Sequence, residues 1–228
     1  MYDEDYMFIE PDHNRWAKLI VSFLLTAFIT VSVSMNFDYL QFIDSMITTA
    51  IQGKAVSQPL EGFYTLISFI ASPKLDIFWI LVIAFFLWGF KYKIPALFSI
   101  ITLLGADVIG FLIKNVVKRD RPPLHMASDD GYSFPSGHVL GAFIVIAIIW
   151  IFVVPIIGNA TLRIVVRTLL IIGLALVMFS RVYLNAHYPT DTIGAAFVAY
   201  TWLQLAEILY AMYAPRLKQI NFLSNSII

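Results

Sequence analysis

The chain has 228 residues, 60% of them apolar and 13% charged, with a mean hydropathy of +0.81. A water-soluble domain of that length needs more polar surface, so the composition defines a polytopic membrane protein with room for about five to seven spanning helices and little else. Fifteen basic and fifteen acidic residues cancel, which excludes a global field that would attract nucleic acid, and the absence of cysteine excludes disulfides, thiolate metal sites and a cysteine nucleophile.

The acidic start (Met1, Tyr2, Asp3, Glu4, Asp5) lacks the basic segment of a cleaved signal peptide, so the first apolar run reads as a retained helix. Apolar runs predict six spans: Trp16 to Met35, Leu75 to Phe90, Ile94 to Val117, His138 to Ile157, Leu162 to Ser180 and Thr192 to Tyr213. The second is short and follows Pro73. Between the first two, Asn36 to Lys74 sets single charges (Asp44, Lys54, Glu61) among short apolar clusters, which predicts amphipathic helices at the interface rather than another crossing. Ser224 to Ile228 reads as a frayed tail.

Orientation follows from the basic residues. With the N-terminus cytoplasmic, eight fall inside: Arg15, Lys18, Lys91, Lys93, Arg163, Arg167, Arg216 and Lys218. Seven fall outside: Lys54, Lys74, Lys114, Lys118, Arg119, Arg121 and Arg181. Five of those seven sit in short polar segments that have a chemical explanation, and setting them aside leaves eight against two, with both termini inside.

Three polar clusters interrupt the apolar chain. Lys114-Asn-Val-Val-Lys-Arg-Asp-Arg121-Pro122 ends the third span, Pro135-Ser136-Gly137-His138 opens the fourth, and Ser180-Arg181, His187 and Asp191 bridge the fifth and sixth. Six alternating spans bring all three to one membrane face. Lys114, Arg121 and Arg181 supply cations suited to phosphate oxygens. Ser136 offers a hydroxyl, and the backbone N–H groups around Gly137 open a helix whose dipole favours an anion. His187 precedes Asp191 by four residues, so the carboxylate can fix the tautomer and leave the other ring nitrogen as a nucleophile. His138 is placed to act as general acid and base. No carboxylate cluster suited to magnesium is apparent, and the reading calls for no metal and no cofactor.

Taken together, Lys114, Arg121, Pro122, Pro135, Ser136, Gly137, His138, Ser180, Arg181, His187 and Asp191 resemble, in order and spacing, the three-part signature of the type 2 phosphatidic acid phosphatase family. The resemblance implies an all-α membrane bundle of six transmembrane helices, with interfacial helices between the first and second, forming a single phosphatase domain over residues 1–228. It implies metal-independent hydrolysis of a membrane lipid phosphate through a phosphohistidine on His187, whose partner is Asp191, with His138 as acid and base. Lys114, Arg121, Ser136, Gly137 and Arg181 would bind phosphate. The family also holds soluble acid phosphatases and vanadate-dependent haloperoxidases, which the membrane composition argues against. Bacterial membrane members act on phosphatidylglycerol phosphate, undecaprenyl diphosphate, phosphatidic acid and related lipids at the outer side of the cytoplasmic membrane. The first two substrates are left equally open, and oligomeric state is not legible.

Outside the signature, Asp107 lies deep in the third span, seven residues before Lys114 on the same helix face, where it can hold a basic neighbour, line the pocket or serve packing. Lys118 and Arg119 suit either a second phosphate or anionic headgroups. Tyr183 and Tyr188 flank His187, and together with Tyr132 and Phe134 are candidates for the pocket wall; His13 and His125 have no such context. Two rival readings remain: a transporter or channel with charges along its path, and a catalytically silent lipid-phosphate-binding relative.

Overall fold

The structure, a computed structural model, describes residues 7–52, 58–123, 125 and 129–228. The acidic start (Met1 to Asp5) and Lys54 lie outside the described residues. Eight α-helices follow one another: α1 (Asn14–Ser34), α2 (Asp38–Gln52), α3 (Gln58–Ile70), α4 (Pro73–Gly89), α5 (Lys93–Val117), α6 (Gly137–Ile148), α7 (Ala160–Tyr183) and α8 (Pro189–Leu217). No strand occurs among the described residues.

Local chemistry sets several of these boundaries. Pro73 and Pro189 occupy the first turns of α4 and α8, where a missing N–H costs no hydrogen bond. The Asn159 side chain accepts the Leu162 N–H at 3.0 Å and starts α7. Lys118, with φ of 51°, closes α5 in the left-handed region, and its N–H returns to the Lys114 carbonyl. The fourth predicted span runs as α-helix only to Ile148; a π-turn (Ile149–Val153) and a 3-10 turn (Val154–Ile156) complete it. Pro155 explains the change of register, since it cannot donate to the helical ladder.

Five helices, counting α6 with its two terminal turns, are long and apolar enough to cross a membrane. The 17 residues of α4 fall short alone, but α3 and α4, bent by 52° at the Ala71–Ser72 break, qualify together as a sixth. Five of the six spans thus form as the apolar runs predict; the second, expected over Leu75 to Phe90, reaches span length only together with α3, which belongs to the stretch expected at the interface, and that stretch is helical. Its second helix continues through a bend into α4.

The arrangement puts α6 and α8 at the centre, with half of their residues buried. Around them, α8 packs on α1, α5 and α6, while α5 also packs on α4, and α7 on α3 and α6. Phe85, Phe111 and Val116 remain exposed on the outside, an apolar belt suited to acyl chains. A polar seam joins α1 to α8 through the Arg15–Glu207 ion pair at 2.9 Å and the Thr26–Thr201 hydroxyl pair at 2.9 Å.

At the end of the bundle remote from the polar clusters the chain closes on itself. The Ile227 N–H donates to the Lys91 carbonyl at 2.9 Å, the Ser226 hydroxyl accepts the Ile94 N–H at 3.0 Å, and the Phe8 N–H reaches the Ile228 carbonyl at 3.2 Å. Leu223, Ser226 and Ile228 are buried. Ser224 to Ile228 is therefore a docked segment that satisfies the first turn of α5, not a frayed tail.

Candidate functional site

The three clusters meet at one end of the bundle. Alternating spans bring the C-terminal ends of α5 and α7 beside the N-terminal ends of α6 and α8, and the backbone stitches the connecting loops together. The Ser136 N–H donates to the Asp191 carbonyl at 3.3 Å, tying the start of α6 to the start of α8. The Ser133 N–H reaches the Arg119 carbonyl at 2.8 Å, and the His187 N–H the Arg181 carbonyl at 3.2 Å. Gly194 is required by this packing: a Cβ there would stand 2.7 Å from Phe134 Cζ, and Phe134 is fully buried two residues before Ser136.

His187 is buried in the loop between α7 and α8. Its Nδ1 faces Asp191 Oδ2 at 3.6 Å, an ion-pair distance longer than a hydrogen bond, and its Nε2 lies 3.4 Å from Arg121 Nη1. Because a guanidinium only donates, that contact leaves the Nε2 lone pair directed at the cationic side of the site. Burial lowers the His187 pKa from 6.5 to about 4; Asp191 opposes the shift, and Arg181 and Arg121 add to it. The ring is thus neutral near pH 7, as a nitrogen nucleophile must be.

The cations close around it. Arg121 donates from Nη1 to the Ala186 carbonyl at 2.8 Å, from Nη2 to the Asp130 carbonyl at 2.7 Å and from Nε to the Gly131 carbonyl at 2.9 Å. Arg181, 2% exposed, donates to the Ser68 hydroxyl and pairs through Nη2 with Asp129 Oδ1 at 2.8 Å; its Nε is buried without a partner. Lys114 has no ion pair among the described residues and lies within electrostatic reach of Arg121, Arg181 and Asp191. His138, in the first turn of α6, feels Arg181, His187, Arg121 and Lys114. The Ser136 hydroxyl is buried without a hydrogen-bond partner. Unpaired buried donors beside three cations, at the start of a helix, make a cradle suited to a phosphoryl group, with a neutral imidazole at its edge.

All eight residues proposed from the sequence (Lys114, Arg121, Ser136, Gly137, His138, Arg181, His187 and Asp191) lie at this end of the bundle. Arg119 reads differently. It neither faces solvent nor waits for a headgroup: Nη1 pairs with Asp191 Oδ1 and Nη2 with Asp44 Oδ2, both at 2.6 Å, over the Tyr188 ring at 4.2 Å. Those two carboxylates outweigh burial and hold its pKa above the ordinary value. Lys118 stays exposed. Asp107 finds no basic partner among the described residues; its acidic neighbour is Asp76, a second carboxyl group buried on α4, which packs where Gly141 of α6 lacks a side chain. Tyr183 packs on Tyr64 and Phe179, and His125 bonds the Pro122 carbonyl through Nδ1 at 2.7 Å.

Three participants carried no signal sufficient to find them. Asp44 resembled any acid on an amphipathic helix, Ser68 any small residue on an apolar one, and Asp129 any loop carboxylate.

Fold and site together describe a polytopic membrane protein with a cluster of cations and two histidines where four of its spans meet. The model of the PAP2 superfamily matches residues 92–214, more than half of the chain, and the chain belongs to that superfamily. It is 34% identical over 95 residues to phosphatidylglycerophosphatase B of Haemophilus influenzae, a match over 38% of this chain and 35% of that protein. The chain thus aligns with only about a third of that relative's length. It is 25% identical over 162 residues to YbjG of Escherichia coli K12, named as an undecaprenyl-diphosphatase, covering 66% of this chain and 75% of that protein. Among solved structures, the fold resembles a transmembrane PAP2-type phosphatidylglycerolphosphate phosphatase from Bacillus subtilis (TM-score 0.74, 21% identity, 90% of this chain and 99% of that one). It also resembles LpxE of Aquifex aeolicus (TM-score 0.50, 19% identity, 75% of this chain and 93% of that one).

Proposed function

We propose that this chain is, over residues 1–228, a single integral membrane phosphatase domain that hydrolyses the phosphate mono- or diphosphate ester of a membrane lipid through a phosphohistidine. The observation that carries the reading is the setting of His187: a buried, neutral imidazole with a carboxylate at Nδ1 and the Arg121 guanidinium 3.4 Å from Nε2.

In the first step the Nε2 lone pair forms a bond to phosphorus, and the P–O bond to the lipid breaks. Its electron pair goes to the leaving oxygen, which takes a proton from His138. Asp191 stabilises the ring cation that results. In the second step His138 removes a proton from water, the water oxygen bonds to phosphorus, and the P–N bond returns its pair to Nε2. Lys114, Arg121, Arg181, Ser136 and the N–H groups from Gly137 onward bind the equatorial oxygens, whose charge they match in the transition state.

The relatives are named for two lipids, and their names support phosphatidylglycerol phosphate and undecaprenyl diphosphate alike as substrates; phosphatidic acid is a third candidate. The eight basic residues from Arg15 to Lys218 that flank the remote helix ends support cytoplasmic termini, and hence a site on the extracytoplasmic face of the cytoplasmic membrane.

The test is phosphate release by the purified protein from a panel of these lipids, with and without chelator. Release that survives chelation and disappears in His187→Ala is the expected result. Failure to release phosphate from any lipid phosphate or diphosphate would overturn the reading in favour of a transporter or a silent binding protein.

A further inference from the structure

Asp44 lies on α2, outside the three clusters, yet it is 2% exposed and every contact it makes leads to the site. Its Oδ1 accepts the Thr190 N–H at 2.9 Å, in the first turn of α8. Its Oδ2 accepts the Thr190 hydroxyl at 2.7 Å and Arg119 Nη2 at 2.6 Å. Arg119 spends its other amino group on Asp191 Oδ1 at 2.6 Å and on the Thr190 hydroxyl at 2.8 Å. Asp191 then has one oxygen fixed by Arg119, while the other accepts the Tyr188 N–H at 2.9 Å and faces His187 Nδ1 at 3.6 Å. The result is a line of polar contacts from α2 to the imidazole, Asp44, Arg119, Asp191, His187, whose last step is the 3.6 Å ion-pair contact.

We infer that Asp44 and Arg119 are positioning residues of the reaction, and that Asp44 sets how strongly Asp191 supports His187. The inference rests on the phosphohistidine reading above. Two physical effects act in the same direction. The first is orientation. A carboxylate torsion is soft, and Asp191 presents Oδ2 to His187 only while Oδ1 is held elsewhere. The second is charge. Attack by Nε2 turns the His187 ring into a cation, which Asp191 stabilises. Arg119, 2.6 Å from Asp191, offsets part of that stabilisation. Asp44, equally close to the other end of the guanidinium, draws it back. Asp44, Arg119 and Asp191 together sum to one negative charge, available to the ring when it becomes positive. Without the Asp44 charge the sum is zero.

A residue acting this way alters the chemical step and leaves anion binding alone, because neither Asp44 nor Arg119 is among the cations of the cradle. The experiment compares the full-length wild type with Asp44→Asn, which keeps the shape and removes the charge, and with Asp44→Glu, using a lipid phosphate that the wild type hydrolyses. The expected result for Asp44→Asn is a kcat lower by ~10–100-fold, the scale on which indirect partners of a reacting group act, with KM within about twofold. Inhibition by inorganic phosphate stays at the wild-type level, whereas inhibition by vanadate, which resembles the transition state, weakens with kcat. Asp44→Glu recovers part of the loss. Arg119→Lys, which retains one charge but reaches a single carboxylate, gives an independent reading of the same split.

A wild-type kcat in Asp44→Asn overturns the inference and leaves the phosphatase reading standing. So does a variant in which phosphate inhibition is lost together with kcat, since that marks collapse of the site rather than loss of orientation. A wild type inactive on every lipid phosphate overturns both.

Discussion

Asp129 occupies a donor that a phosphate would need. Its carboxylate pairs with Arg181 Nη2 at 2.8 Å, and its second oxygen is buried without a partner. An incoming phosphate dianion meets a guanidinium already engaged and a like charge beside it. Asp129→Asn keeps a carbonyl oxygen in place and leaves the guanidinium donating, but turns an ion pair into a bond between a cation and a neutral oxygen. Hydrogen bonds to charged groups span about 1.5–3 kcal/mol net, and loss of one of the two charges moves this bond from the upper toward the lower end, so on the order of 1–2 kcal/mol is released to the ligand. That difference corresponds to about a 5- to 30-fold tighter anion. Loss of carboxylate–phosphate repulsion adds in the same direction. The anion-free variant should also unfold at a lower temperature, because Arg181 is 2% exposed and loses its counter-charge, with added phosphate restoring more of the loss than it gives the wild type. The assay is inhibition of hydrolysis by inorganic phosphate, with thermal unfolding measured at several phosphate concentrations. Phosphate inhibition unchanged or weakened in Asp129→Asn would refute the reasoning, since the carboxylate would then be supporting the cradle rather than competing for it.

Two further outcomes follow from the same geometry. With its pKa held near 4 by burial, His187 should remain neutral at pH 6, as histidine NMR of the full-length protein can show; a ring half-protonated near 6.5 would contradict this. The linkage has a definite sign: the native state binds fewer protons than the unfolded one between about pH 6.5 and 4, so the His187 contribution to stability is complete above 6.5 and is lost as pH falls through that window, which thermal unfolding across it measures. Gly194→Ala should cost about 1–3 kcal/mol, because the added methyl must displace the buried Phe134 ring, and should lower kcat as well, since that ring sits two residues before Ser136; thermal unfolding and turnover of the same preparation check both effects.

How much of this was legible depended on the range of the interaction. The six spans follow from apolar runs, a property of neighbouring residues, and the structure ends most of them within a few positions of the predicted limits. The exception, α6, departs from α-helical register around Pro155, where a hydropathy pattern does not register a lost backbone donor. The signature residues were legible because their spacings are local, and alternating spans then bring the clusters to one face. Asp44 was not, because its significance lies in partners 75 and 146 residues away, and an acid on an amphipathic helix looks solvated until the fold buries it. Ser68, 113 residues from Arg181, was hidden for the same reason. Ser224 to Ile228 reads as frayed in the sequence because the hydrogen bonds that dock it go to Lys91, Ile94 and Phe8, far away along the chain.

The alternation of spans also explains why this end of the bundle can hold an anion. Successive crossings run in opposite directions, so a ring of neighbouring helix ends alternates between C-termini, which carry partial negative charge, and N-termini, which carry partial positive charge. Lys114 and Arg181 come from the C-terminal ends of α5 and α7, where a cation is stabilised by its own helix. Ser136, Gly137 and Asp191 come from the N-terminal ends of α6 and α8, where free N–H groups and a capping carboxylate belong. Each helix is therefore locally satisfied by the residue it contributes, while the sum facing inward is strongly cationic. Deep in a bilayer the same charges would each carry a large desolvation cost. Gathered at the interface, as the proposed function requires, they would meet the phosphate at the depth where a lipid carries it, and its tails would not need to leave the membrane.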